Sequence, residues 1–299
     1  MKPPQIIIFL SFLLCSASLC KAQSAGTFSG LRLQASSTWA DNLNRSSHIP
    51  SVKSGQFYTA SGTLDYSRQL NRNWIIIAEG EVVTNIVKKY SGLNSLSGTG
   101  KAKIRRKFGL GAYAPIFEAS VGATVSSFKE TARNGTQLEA GLRVSKRLTH
   151  ALQFSGGINW EDFNARHRTY DVRTHRVFLE GNWDVTDRWR LSAGATRIWG
   201  QFVASAAGAV WPLALNGQLG PEVFQHYNTL AWEVSDTFGP GWVAYRNRES
   251  QVDQWWVEIS PALTDRTSLS LRYEFNKSIN AIGIRYDAIF WTLGLNHQF

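Results

Sequence analysis

Lys101, Lys103, Arg105 and Lys107 occupy every second position of one short run, with Ala102, Ile104 and Phe108 on the alternate positions. On an extended strand successive side chains point to opposite faces, so this spacing makes a column of cations backed by an apolar face. Such a column can select and orient an anionic solute, as charge rings do in pores. Upstream, Glu79 and Glu81 alternate with Ala78, Gly80 and Val82. If the two runs are neighbouring strands, both carboxylates stand beside the cations. With Arg143 and Arg176 from later strands, these residues form a candidate constriction: Lys101, Lys103, Arg105, Lys107, Glu79, Glu81, Arg143 and Arg176. The same spacing also suits a purely structural role. Inward carboxylates such as Asp65, Glu118, Glu139, Glu180 and Glu233 roughly match inward bases such as Arg32, Arg190, Arg246, Arg248 and Arg272, and could cross-link a wall through cross-strand pairs. Both readings stay open. Arg106 falls on the apolar face, where a mid-membrane position costs about 2–4 kcal/mol, so it is expected near an interface with its head in water.

Other chemistry finds less support. None of the six histidines is followed two residues later by Ser, and Asp162 with His167 or Asp171 with His175 are the loop pairs that could meet at a rim. No His or carboxylate cluster has a metal-ligand spacing, and there is no Gly-rich phosphate loop. The basic run alternates with apolar residues, which suits a barrel wall better than a nucleic-acid surface. The expectation is therefore a non-enzyme with no cofactor, no metal and no nucleic-acid partner.

Stretches of about ten alternating residues recur along the whole chain, the signal of a tilted membrane strand. Leu152, Phe154, Gly156, Ile158 and Trp160 share one parity; Gln153, Ser155, Gly157, Asn159 and Glu161 share the other. The pattern places strands at about 29–40, 56–68, 74–86, 100–108, 116–128, 136–146, 151–162, 174–185, 189–201, 223–235, 241–249, 253–263, 267–277 and 286–299. That is fourteen, an even number as a single-chain barrel requires. The faintest hairpin is 241–263, without which twelve remain. Short turns at 70–73, 146–150, 185–188 and 263–266 alternate with longer loops near 41–55, 87–99, 163–173 and 202–222. A β-sandwich has no reason to segregate link lengths in this way. Trp189 and Trp199 share a parity ten residues apart, which spans roughly 25 Å along a membrane normal, the height of an apolar band between aromatic girdles. Trp74, Tyr66, Phe108, Trp160, Trp232, Trp242, Trp255 and Trp291 are expected in the same girdles. The mean hydropathy is −0.22, as expected when alternate residues alone touch lipid. The fold class is all-β: a transmembrane antiparallel up-and-down β-barrel of about 14 strands, with 12 as the alternative.

The final segment, Ile289 to Phe299, alternates apolar and polar residues and stops on an aromatic. It resembles the last strand of bacterial outer-membrane β-barrels, and the short turns resemble their periplasmic turns. The resemblance implies that Phe299, Leu295, Leu293 and Trp291 form the signal read by the barrel-assembly machinery, and that the chain resides in the outer membrane of a Gram-negative bacterium. At the other end, Lys2, the apolar stretch Ile6 to Cys15 and the small residues that follow have the anatomy of a signal peptide. Cleavage is expected after Ala22, with a lipoprotein signal at Cys15 or Cys20 as the rival. Residues 1–22 are thus expected to leave and 23–299 to form one barrel domain. Both cysteines leave with the peptide, and the formal charge falls from +10 to +8 as Lys2 and Lys21 go. The loop 202–215 is too apolar for an ordinary solvated loop, and could enter the barrel mouth, cap neighbouring loops, or contact lipid or a partner. The function expected is a passive pore for small solutes with a mixed-charge, basic-leaning lumen. A closed structural or surface-interaction barrel is the alternative, and an outer-rim hydrolase a third reading. Expected partners are outer-membrane lipid and lipopolysaccharide, the assembly machinery, and a small anionic solute.

Overall fold

The computed structural model describes residues 26–46, 51–207, 229–280 and 285–299. The expected signal peptide at 1–22 lies outside the described residues, as does the 208–215 part of the apolar loop. Twelve antiparallel strands close into a barrel. They are β1 (Thr27–Ala40), β2 (Gly55–Gln69), β3 (Trp74–Val87), β4 (Ser95–Lys107), β5 (Ile116–Phe128), β6 (Gly135–Arg147), β7 (Leu152–Ala165), β8 (Val172–Thr186), β9 (Trp189–Gly200), β13 (Ser250–Thr264), β14 (Thr267–Asn280) and β15 (Arg285–Gln298). The barrel closes where β15 pairs with β1, Trp291 opposite Trp39 and Leu295 opposite Ala35. Closure leaves no sheet edge, which is what a β-structure needs in a medium that cannot hydrogen-bond a bare backbone.

Three further strands, β10 (Val203–Ala206), β11 (Thr229–Val234) and β12 (Val243–Asn247), form a separate sheet in the order β10-β12-β11. The expectation of fourteen barrel strands is corrected here. The described part of 223–235, from Thr229 on, and the segment 241–249 do not enter the wall, residues 223–228 lying outside the described residues, and the faint hairpin 241–263 is half barrel, since β13 starts at Ser250. The reason is visible at Arg246-Asn247-Arg248-Glu249: whichever parity faced outward, a charged side chain would meet lipid. β11 and β12 are also only 6 and 5 residues long, short of the roughly 9–11 that cross a bilayer. Trp232 and Trp242 accordingly belong to this sheet region and not to a girdle, and Glu233, Arg246 and Arg248 do not line the barrel wall.

The alternation divides the wall as expected. On β4 the odd positions 101 to 107 are half-buried toward the lumen while Ala102, Ile104 and Arg106 are exposed outward. Val121, Leu138, Leu179, Trp183, Val257, Leu271 and Leu293 also stand exposed on the outside. Arg106 sits opposite Trp74, near a turn, with its guanidinium over the Trp74 and Phe108 rings at 5.2 and 4.6 Å. That is the interfacial placement expected of a cation on the lipid-facing side. Buried apolar clusters occur elsewhere: Ala204, Ala206, Val243 and Tyr245 within the small sheet, and Val87, Tyr90, Phe238 and Trp242 where it meets the rim.

The chain leaves and re-enters the wall at one corner, because Gly200 of β9 pairs with Ser250 of β13. Gly200 has φ +139°, and a Cβ there would lie 2.1 Å from the Arg173 carbonyl oxygen, so only glycine fits the exit. The described parts of the excursion, 201–207 and 229–249, fold over that end of the barrel, the end carrying the connections 41–54, 88–94, 129–134 and 166–171. The opposite end has two-residue links at 187–188 and 265–266 and four-residue links at 70–73 and 148–151, with one longer connection, 108–115.

Candidate functional site

Six of the eight expected constriction residues meet in ion pairs on the inner wall. Lys103 Nζ lies 2.6 Å from Glu79 Oε2 on the adjacent strand, and Arg105 binds Glu118 on the other side. Lys101 Nζ reaches Glu139 Oε1 at 2.6 Å, two strands away. Gly122 on β5 makes that crossing possible, since a Cβ there would meet Glu139 Oε1 at 2.6 Å. Arg143 likewise bridges over Ser155, donating to Ser155 Oγ and Glu180 Oε2, each at 2.7 Å. Arg176 pairs with Glu161 at 2.9 Å. Glu81 and Lys107 make no ion pair among the described residues.

All eight lie on β3, β4, β6 and β8, so charge is concentrated on one side of the lumen. From β3 to β8 the inward cations Lys101, Lys103, Arg105, Lys107, Arg143 and Arg176 face the inward acids Glu79, Glu81, Glu118, Glu139, Glu161, Glu180 and Asp184. The wall is charged but close to neutral. On the other side hydroxyls and amides predominate, as in Thr38 Oγ1 with Thr292 Oγ1 at 2.9 Å. Arg272 there lies over the Trp256 ring at 4.2 Å and binds Glu274.

The mouth is covered by the small sheet, and Glu130 is the post to which it is tied. Ser235 Oγ donates to Glu130 Oε1 at 2.5 Å and Thr237 Oγ1 to Oε2 at 2.7 Å, both from the excursion. From the barrel loops, Arg133 Nε and Tyr170 OH donate to the same carboxylate. Burial works against the ionised form of Glu130, but the Arg133 charge and these hydrogen bonds outweigh it and hold the carboxyl below its ordinary 4.5. Tyr170 moves the other way, pushed well above its ordinary 10.0 chiefly by burial, so its phenol stays a donor. His167 Nδ1 lies 2.7 Å from Glu233 Oε2 of β11, and Arg246 Nη1 donates to the Asp171 carbonyl at 3.1 Å. Asn44 and Ser205 exchange backbone and side-chain hydrogen bonds of 3.1 and 3.4 Å. The ring pair Tyr90 and Phe238, centroids 4.9 Å apart, closes the apolar part of the seam. Four separate loops therefore hold one cap.

The apolar residues at 202–207 join the cap through β10, one of the roles open to that loop. The two His–Asp pairs do not assemble. Asp162 binds Arg173, Asp171 neighbours Arg246, His167 binds Glu233, and His175 stands exposed on the outside of β8. Sequence reasoning missed Glu130, Arg133 and Tyr170, because their meaning depends on Ser235 and Thr237, more than 100 residues away from Glu130. The turn residues Asp236 to Gly241 gave the available hint that a compact unit lay there.

An outer membrane channel from Pseudomonas putida F1 has a similar structure, with a TM-score of 0.53 at 10% identity, covering 94% of this chain and 98% of the channel. A NanC porin aligns with a TM-score of 0.46 at 8% identity, over 89% of this chain and 100% of the porin. No family model and no curated protein matches the sequence. At these identities the likeness concerns the fold, and that fold is the closed barrel of outer-membrane proteins.

Proposed function

We propose that the protein is an outer-membrane channel that passes small solutes along a mixed-charge lumen and whose outward mouth is governed by the cap. The observation that carries this is the wall itself, apolar toward the outside and lined with ion pairs and hydroxyls within. A wall of that polarity suits a barrel standing in lipid around water. The long-loop end is assigned to the cell exterior. Near that end the outer face carries Arg173–Asp162, Arg197–Asp253 and Arg285–Asp287 pairs, three residues or fewer from strand ends, which suits contact with charged lipid headgroups such as those of lipopolysaccharide. Phe299, Leu295, Leu293 and Trp291 all stand exposed on the outer side, as a segment read by the assembly machinery needs to be.

The basic excess lies at the mouth and not on the charged wall, where the inward acids match or exceed the inward cations. Among the described residues of the five long connections, Arg45, Lys53, Lys88, Lys89, Lys129, Arg133, Arg166, Arg168, Arg246 and Arg248 outnumber Asp41, Glu130, Asp171, Glu233, Asp236 and Glu249. A basic collar over a near-neutral wall would gather anions at the entrance without binding them too tightly to leave. Lys101, Lys103, Arg105, Lys107, Glu79, Glu81, Arg143 and Arg176 are the residues proposed to set the passage below. Planar-bilayer recording of the refolded mature chain tests the reading. Discrete channel events with an anion preference are expected; silence from demonstrably folded protein would defeat it. The second reading, a closed barrel serving a structural or surface-binding role, draws on the cap's many ties, and silence in that recording is what it expects.

A further inference from the structure

We infer that the space between the cap and the barrel rim is a binding site for a small organic anion with an aromatic body, of which benzoate is the simplest probe; its use as a solute-selection site rests on the channel reading above. A cavity of about 300 Å³ lies there. That is at the lower end of what small-ligand sites enclose and has room for one ring with its carboxylate. Phe128 and Phe163 enter it from the inner faces of β5 and β7, and Phe202 and Phe238 from the excursion. Two arginines, Arg45 and Arg133, also line it, beside Tyr170 and smaller polar and aliphatic residues, and no carboxylate is among them.

The two arginines are not equivalent. Arg133 is bound to Glu130 and lies over the Tyr170 ring at 4.2 Å, so its charge is compensated and its plane is fixed. Arg45 makes no ion pair among the described residues, and its guanidinium lies 5.9 Å from the Phe202 ring centroid. It is also the one non-glycine residue among those described with a left-handed backbone, φ 55°. Non-glycine residues held in that conformation cluster where a side chain has a task. The hydrogen bond from Arg45 N to the Asn42 carbonyl, 3.4 Å, helps to hold the turn that aims it.

The chemistry of such a box is specific. A guanidinium at its edge offers paired donors that match a carboxylate, while the ring faces accept a flat apolar body and gain from its burial. Acetate would satisfy the first half alone. An aromatic cation would satisfy the second half and be repelled by the first. The collar of surplus lysines and arginines would raise the local concentration of the anion but could not by itself prefer a ring.

Calorimetric titration of the detergent-folded full chain tests this with benzoate, acetate and benzylamine. Benzoate is expected to bind saturably at one site, at least ten-fold tighter than acetate, with no heat of binding from benzylamine. Arg45→Gln should weaken benzoate ten-fold or more, Arg45→Lys less, and Lys89→Gln, a collar change outside the cavity, hardly at all. Heat-modifiable gel migration confirms that each variant is folded. No saturable benzoate binding by the folded chain, equal binding of benzylamine, or equal losses from Arg45→Gln and Lys89→Gln would overturn the site. Benzoate binding without channel events would leave this inference standing and defeat the pore, whereas channel events without benzoate binding would do the reverse.

Discussion

The barrel wall and the cap are written in the same alternating code and solve opposite problems. Barrel strands run 12 to 15 residues and keep one face exposed, whereas β12 shows buried residues on both of its faces. Val177 and Leu179 on β8 are 45% and 59% exposed, while Val243 and Tyr245 in the cap are 3% and 4% exposed. In the wall, apolar side chains are turned outward, as a barrel proposed to stand in lipid requires, and charge pairs line the interior. The cap instead hides its apolar side chains from water and uses polar groups as ties to the rim. Period-two hydrophobicity therefore specifies a two-faced ribbon but leaves the solvent on each face to length and to the placement of charges.

The largest expected effect comes from removing one region and keeping the other. Because Gly200 and Ser250 are already register partners, replacing 201–249 with a short turn should leave a closed barrel whose conductance rises several-fold over the full chain. Unchanged conductance would mean that the cap does not obstruct the path. A charge on each region's apolar face comes next. Val121→Arg, 61% exposed on the outer wall, should cost about 2–4 kcal/mol of folding stability in bilayers, measured by denaturant titration. Ala244→Arg, at a position with no exposure, should leave the barrel folded but free the cap, read as new protease cleavage within 229–249.

Smaller again is Glu130→Gln. It replaces a charged acceptor of four donors and should weaken cap docking by about 1.5–3 kcal/mol, seen as more frequent opening in single-channel records. Acid should act in the same direction. The Glu130 carboxyl is depressed in the folded state, so its contribution is fully present above the ordinary value near 4.5 and is lost as pH falls through the lower folded value. Cap opening should therefore increase in that acid window in the wild-type chain and stay flat in Glu130→Gln. Least of all, a double-mutant cycle on Lys103 and Glu79 should return about 1 kcal/mol or less, since water in the lumen screens the pair. A coupling several times larger would mean that this part of the lumen is dry.

Much of the wall was legible beforehand because a strand's parity is local. The expected 116–128 is β5 to the residue, and the inward column Lys101 to Lys107 and the outward face of Arg106 follow from alternation alone. The choice of partners was less legible. Lys101 reaching over Gly122 to Glu139 requires the register of three strands, which no single strand records. The cap was misassigned because β11 and β12 alternate as wall strands do, and only the charges at Arg246 to Glu249 marked them as unfit for lipid.

By itself the sequence determined a ribbon of alternating faces, the even-numbered closed wall it implies, and which residues turn inward, since each follows from side-chain geometry along one strand. Tertiary structure alone decided that twelve strands close, that the remaining strands cover the mouth, and that Glu130 and Arg45 take part there. Closure and capping depend on where segments far apart in the chain come to rest, and hydrogen bonds across such distances leave no period in the sequence to read.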